Sequence, residues 1–165
     1  MNTYKLTLLA LLATLAVVGR YVFQFLPNIQ PVTALIIICG FLLGPIEAII
    51  LAFLVTFLSN MLLGLGIWTV WQIIAWAIIG LISGLFGKKK KSFSFPILIV
   101  IGIVSGYFYG FIISLTTYQI TGQFWPYYFA GLPFDTSHAI GNVIFMIFFY
   151  PVISHLYKNY AKNHY

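Results

Sequence analysis

The chain has 165 residues, of which 62 % are hydrophobic and 6 % charged, with a net charge of +6. Soluble domains carry about 25 % charged residues, so this composition excludes a water-soluble globule and points to a bilayer. The apolar runs are continuous rather than alternating, which excludes a transmembrane barrel. The lysines Lys5, Lys88 to Lys91, Lys158 and Lys162 stand outside those runs, so the charge reports topology rather than nucleic-acid binding. One cysteine, Cys39, lies in an apolar run; it permits no internal disulfide and reads as a small buried hydrophobe.

Taken in order, the chain predicts an all-α integral membrane bundle of six helices forming a single domain over 1–165. Helix 1 is expected over 4–24: its apolar run continues through Arg20 and is too long for a signal peptide. A loop with two prolines follows, Pro27 and Pro31, carrying Asn28 between them. The stretch from Val32 to Leu63 would be about 48 Å long as one helix, against a hydrocarbon core of about 30 Å. Gly44-Pro45 interrupts it, so it divides into a short helix over 32–43 and a longer one over 46–63. The turn Gly64-Leu65-Gly66 leads to a helix over 68–86, which ends at Gly87 and four lysines. Helix 5 is expected over 95–118, an aromatic loop with two prolines over 122–134, and helix 6 over 135–157.

The lysines test this division. Lys5, the lysine run and the basic tail belong on the cytoplasmic side, which needs an even number of spans before Lys88. Four spans satisfy that, place both termini in the cytoplasm, and make the loops at 25–31, 64–67 and 122–134 external. Three Gly-xxx-Gly pairs, Gly40/Gly44, Gly80/Gly84 and Gly106/Gly110, allow close helix approach, within the bundle or toward a partner. Helix 1 adds a face of small residues, Ala10, Ala13, Thr14 and Ala16.

Polar groups are few, and each asks for a reason. Trp68, Trp71, Gln72 and Trp76 fall within an arc of about 140° on helix 4. Indole rings around one amide suit the wall of a pocket for a flat organic molecule. Trp76 lies about 12 Å further along than Trp68, too deep for a single interfacial belt. Asp135, His138 and Asn142 share an arc of about 60° on helix 6, a polar stripe facing the bundle interior. Asp135 alone would serve as an N-cap after Pro133-Phe134. Arg20 reads either as a snorkelling interfacial residue or as a donor to a ligand, and Asn60 either faces the same cavity or caps the glycine turn. Glu47 suits the first turn of helix 3. No second His or Cys accompanies His138, so no metal site is expected. No phosphate-binding loop, HExxH, CxxC or GxSxG is present; Ile82 stands where a phosphate loop ending at Gly87-Lys88 needs its first glycine. No catalytic residue is assigned.

These residues resemble a family. Gly19-Arg20, Leu26-Pro27-Asn28-Ile29-Gln30-Pro31-Val32-Thr33, Gly44-Pro45, Ser59-Asn60, Gly64-Leu65-Gly66-Ile67-Trp68-Thr69, Gly131-Leu132-Pro133-Phe134-Asp135 and His138-Ala139-Ile140-Gly141-Asn142 look like those of a substrate-binding S component of an energy-coupling factor (ECF) vitamin transporter. The resemblance covers nearly the whole chain. It implies a non-enzymatic, multi-pass subunit in the plasma membrane of a prokaryote, binding a vitamin-like molecule in an externally open pocket. It also implies docking through helix 1 onto a T component, with two partner ATPases using ATP and no cofactor held by this chain. The family contact motif is Ala-xxx-Ala; the nearest match is Ala10-xxx-Thr14, flanked by Ala13 and Ala16. The ligand residues expected are Arg20, Asn28, Asn60, Trp68, Trp71, Gln72, Trp76, Asp135, His138 and Asn142. The Pro-Asn-x-x-Pro loop and Gly-Ile-Trp-Thr most resemble members linked to cobalamin; a pyrimidine-type or pyridoxine-type precursor is the next candidate. Two rivals stand beside this reading: a self-sufficient transporter driven by protons through Asp135 and His138, and a membrane scaffold without a ligand.

Overall fold

The structure is a computed structural model that describes residues 3–89 and 95–164. Lys90, Lys91 and the Lys89 and Lys162 side chains, which entered the topology expectation, lie outside the described residues. The described residues form six helices and no strand: α1 (Thr3–Val22), α2 (Val32–Leu43), α3 (Pro45–Leu63), α4 (Trp68–Lys89), α5 (Phe95–Thr121) and α6 (Trp125–His164). Five are long and apolar enough to cross a membrane; α2, with 12 residues, is not.

Short α2 is the hub. At about 1.5 Å per residue it is about 18 Å long, too short to span alone. Ten of its 12 residues are buried, and it packs against each of the other five helices. A helix apolar on all sides belongs inside a bundle, and this one forms its centre. Gly44 turns the chain from α2 into α3 within one residue, at φ 124°, a conformation that side chains resist. Pro45 then occupies the first position of α3, where its missing N–H is no loss. The α3–α4 turn closes similarly: Gly64 ends α3 at φ 115°, and the Gly66 amide donates to Thr69 Oγ1 at 3.2 Å.

The glycine pairs serve internal packing. A β-carbon on Gly40 would stand 2.8 Å from the Gly80 carbonyl oxygen, and one on Gly80 2.8 Å from Ala48 Cβ. One on Gly106 would stand 2.8 Å from the Ala139 backbone nitrogen. Helices α2, α3 and α4, and likewise α5 and α6, therefore meet backbone to backbone.

Among the described residues, the lysines Lys5, Lys88 and Lys158 gather at one end. Lys5 pairs with Glu47 at 2.9 Å and donates to the Leu43 carbonyl at 3.2 Å, joining the start of α1, the end of α2 and the start of α3. Tyr4 donates to the Leu156 carbonyl at 3.3 Å, which brings the Lys158 end of α6 alongside. Gly87, just before Lys88, presses on the backbone of Phe41. Glu47 thus holds Lys5 as well as suiting its helix dipole.

One expectation fails. Of the segment 122–134 only 122–124 is a loop: α6 begins at Trp125 and runs through Pro133. Pro126 sits in its first turn, where proline favours helix. Pro133 forfeits its own backbone bond and frees the carbonyl one turn back at Phe129, a residue on the exposed side of α6. Interior prolines of this kind are tolerated in membrane helices. Asp135 is therefore ten residues inside a helix and caps nothing.

Candidate functional site

At the end opposite the lysines, polar side chains from every helix converge. Arg20, near the end of α1, is 9 % exposed. Its Nη1 donates to Ser59 Oγ at 2.6 Å and to Asn60 Oδ1 at 2.9 Å, both on α3. Asn60 Nδ2 in turn donates to Thr69 Oγ1 at 2.9 Å and to Gln72 Oε1 at 2.8 Å on α4. Gln72 Nε2 donates to the Tyr109 hydroxyl of α5 at 2.9 Å. The reason for this wiring is local: an arginine buried among apolar helices must find acceptors, and two neutral side chains supply them.

A second chain of contacts runs beneath. Trp76 is fully buried, with the Arg20 guanidinium 5.2 Å from its ring centroid and Tyr109 stacked on it at 4.9 Å. Its indole donates to Thr33 Oγ1 at 2.8 Å, and Thr33 also bonds His138 Nε2 at 2.8 Å. His138 meets Tyr109 edge to face at 4.9 Å. Thus α2 and α6 join the network through Thr33 and His138.

Two cavities open on these groups. The smaller, about 200 Å³, is lined by Arg20, Gln24, Asn28, Gln30, Gln72 and Tyr109, with Phe23, Leu26, Ile29 and Leu63. The larger, about 410 Å³, is lined by Trp68, Tyr109, Tyr127, Phe134 and Asp135, with Pro27, Asn28, Gln72, Ser114 and Thr117 among its other walls. Asn28, Gln72 and Tyr109 line both, so the two are lobes around one partition. Asn28 holds the loop between α1 and α2 at φ 57°, a left-handed turn that Asn tolerates better than most residues.

The ten predicted ligand residues therefore separate. Arg20, Asn28, Trp68, Gln72 and Asp135 line the lobes. Asn60, Trp76 and His138 are buried behind them as the supporting network. Trp71 donates to Gln119 Oε1 at 2.9 Å, across to α5. Asn142 donates to the Gly102 carbonyl at 3.0 Å, deeper along α6. His138 Nδ1 and Asn142 Oδ1 are buried without a partner among the described residues. Sequence reasoning missed Tyr109, the residue both lobes share. Its signal was a tyrosine hydroxyl inside a long apolar run, three residues past Gly106 and next to Gly110, needing a bond. It also missed Gln24, Gln30 and Tyr127, which line the lobes from the loop between α1 and α2 and from the first turn of α6.

Asp135 is 3 % exposed and has no hydrogen bond or ion pair among the described residues. Its carboxyl lies on Gly110: a β-carbon added there would overlap both carboxyl oxygens. Arg20 likewise has no carboxylate paired with it among the described residues. Among those residues no group of three metal-ligating side chains occurs.

No curated relative and no solved structure matches the chain. The family model for the ECF transporter substrate-specific component matches residues 4–158, spanning all six helices and both lobes. On that match the chain belongs to the family of ECF transporter substrate-specific components, which is a class of transport subunits rather than of enzymes.

Proposed function

We propose that this chain captures a vitamin-sized organic molecule in the two lobes around Gln72 and Tyr109 and delivers it to a T component driven by two partner ATPases. The observation that carries this is a pair of adjacent cavities that share Asn28, Gln72 and Tyr109 as walls, in a chain of this transport family. By the positive-inside tendency the lysine end is cytoplasmic and the lobes open outward, in a prokaryotic plasma membrane. Lobes of about 200 and 410 Å³ suit a ligand of ordinary small-molecule size. That favours a pyrimidine-type or pyridoxine-type precursor over cobalamin, whose corrin ring and nucleotide tail exceed either lobe. The chain's own residues bind and orient; no cofactor is assigned to it.

The docking face follows from α1. Ala13 and Ala16 are buried in the bundle, whereas Ala10 and Thr14 face outward. The pair Ala10/Thr14 is therefore the surface offered to a partner helix, and Ala13 is part of the chain's own core. Ala10→Trp is expected to block co-purification with partner subunits while leaving the bundle intact, because close helix approach tolerates no large side chain. Ala13→Trp is expected to lose the folded protein itself.

Against the proton-driven rival, Asp135 and His138 share no hydrogen bond, and His138 is tied to Thr33. The test is twofold. Mass spectrometry of protein purified from membranes should reveal a retained small molecule. Reconstituted alone in liposomes, the protein should bind that molecule without accumulating it. Accumulation driven by a pH gradient without ATP would establish the rival, and a protein that retains and binds nothing would establish the scaffold.

A further inference from the structure

The two lobes differ in chemistry, and each holds one ionisable side chain that the fold leaves without a counter-ion among the described residues. The smaller lobe is amide-rich and presents Arg20, whose hydrogen bonds go to neutral Ser59 and Asn60. The larger lobe carries four aromatic rings, Trp68, Tyr109, Tyr127 and Phe134, and presents Asp135, almost wholly buried and bonded to nothing among the described residues. Tyr109 stands between them, its ring stacked on Trp76 and its hydroxyl held by Gln72. Gly110 leaves room for the Asp135 carboxyl where any β-carbon would displace it.

Resting on the binding-subunit reading above, we infer that the ligand is bipolar: an acidic group at Arg20, a flat ring over the Tyr109 side of the larger lobe, and a basic nitrogen at Asp135. The physical reason is complementary desolvation. A buried charge is costly unless paired, and a ligand that brings both opposite charges satisfies both residues at once. A ligand with one charge leaves the other residue unpaired in a drier site than before, which is how such sites discriminate.

The test uses matched probes on one ring: 4-(aminomethyl)benzoate, with 4-methylbenzoate and 4-methylbenzylamine as its single-charge counterparts. Binding is read at millimolar concentrations by isothermal calorimetry, with the intrinsic tryptophan fluorescence, to which Trp68 at the larger lobe contributes, as a second readout. The bipolar probe should bind at least tenfold better than either counterpart. In Asp135→Asn, close in size and neutral, its advantage over 4-methylbenzoate should vanish; thermal unfolding of this variant checks that the bundle is intact. Equal binding of the three probes, no response to any of them, or an unchanged order in Asp135→Asn would overturn the inference. The molecule retained on purification separates the two readings. If it lacks either an acidic group or a basic nitrogen, the bipolar ligand is wrong and the binding-subunit reading survives. If nothing is retained or bound, that reading fails first.

Discussion

Two polar regions face each other across Tyr109, and they are built differently. On the α1, α3 and α4 side, Arg20, Asn60, Thr69 and Gln72 are hydrogen-bonded to one another or to a neighbour. On the α6 side, Asp135 has no bond, and His138 and Asn142 each leave one buried atom unpartnered among the described residues. A satisfied network fixes geometry; groups left open retain free energy for something that arrives later. The first region is thus a preorganised scaffold holding Gln72 and Tyr109 at the cavity, and in the second Asp135, which lines the larger lobe, is the group open to a ligand.

The largest expected effect breaks the scaffold. Asn60→Leu removes the acceptor for Arg20 and the donor to both Thr69 and Gln72. Thr69 still accepts from the Gly66 amide, but an Arg20 N–H and Gln72 Oε1 lose their partner; at about 1–3 kcal/mol for each buried group left unsatisfied, the loss is about 2 kcal/mol or more. Thermal unfolding in detergent should show a large fall in midpoint or no monodisperse protein at all. A parent-like midpoint would mean that the Arg20 network does not hold the bundle.

Gly110→Ala disturbs the open side instead. The added methyl must push the Asp135 carboxyl aside. Ligand affinity is expected to fall about tenfold, equivalent to about 1.4 kcal/mol, while the unfolding midpoint moves much less than in Asn60→Leu. Calorimetric titration beside a melting curve separates the two quantities. The smallest effect is at the rim, where Trp68 is 43 % exposed. Trp68→Phe keeps a ring face and should cost about threefold in affinity; Trp68→Ala loses the face and should cost more, in line with about 0.5–1.5 kcal/mol for an aromatic contact.

The contrast between the regions also explains what the sequence could reveal. Helix number, the division at Gly44-Pro45 and the common end of the lysines follow from length, breaker chemistry and charge, all of which act locally. The loop expected over 122–134 did not, because Pro126 and Pro133 read as breakers in isolation. In the bundle the first starts α6 and the second is carried through it. For the site, helical periodicity put Trp68 and Gln72 on one face and Asp135 on an inward stripe. It could not separate the residues at the cavity from those behind it. Trp76 and His138 share those faces but lie deeper, tied together through Thr33 of α2. Nor could it find Tyr109, since α5 is apolar on all sides and only its crossing with α4 and α6 selects that residue.

That the cavity face of the network, and not its depth, meets the ligand is tested most directly by two leucine variants, Gln72→Leu and Asn142→Leu. The quantity to measure is the dissociation constant of the co-purifying molecule for each. Gln72→Leu cuts two bonds of the network and Asn142→Leu one, so melting curves fix a temperature at which both variants are folded and the constants are compared there. Gln72 lines both lobes, and its replacement is expected to weaken binding at least tenfold. Asn142 holds only the Gly102 carbonyl, and its replacement should leave affinity within about threefold. Parent-like binding by Gln72→Leu, or a greater loss in Asn142→Leu, would contradict this placement and move the ligand off the Gln72–Tyr109 partition.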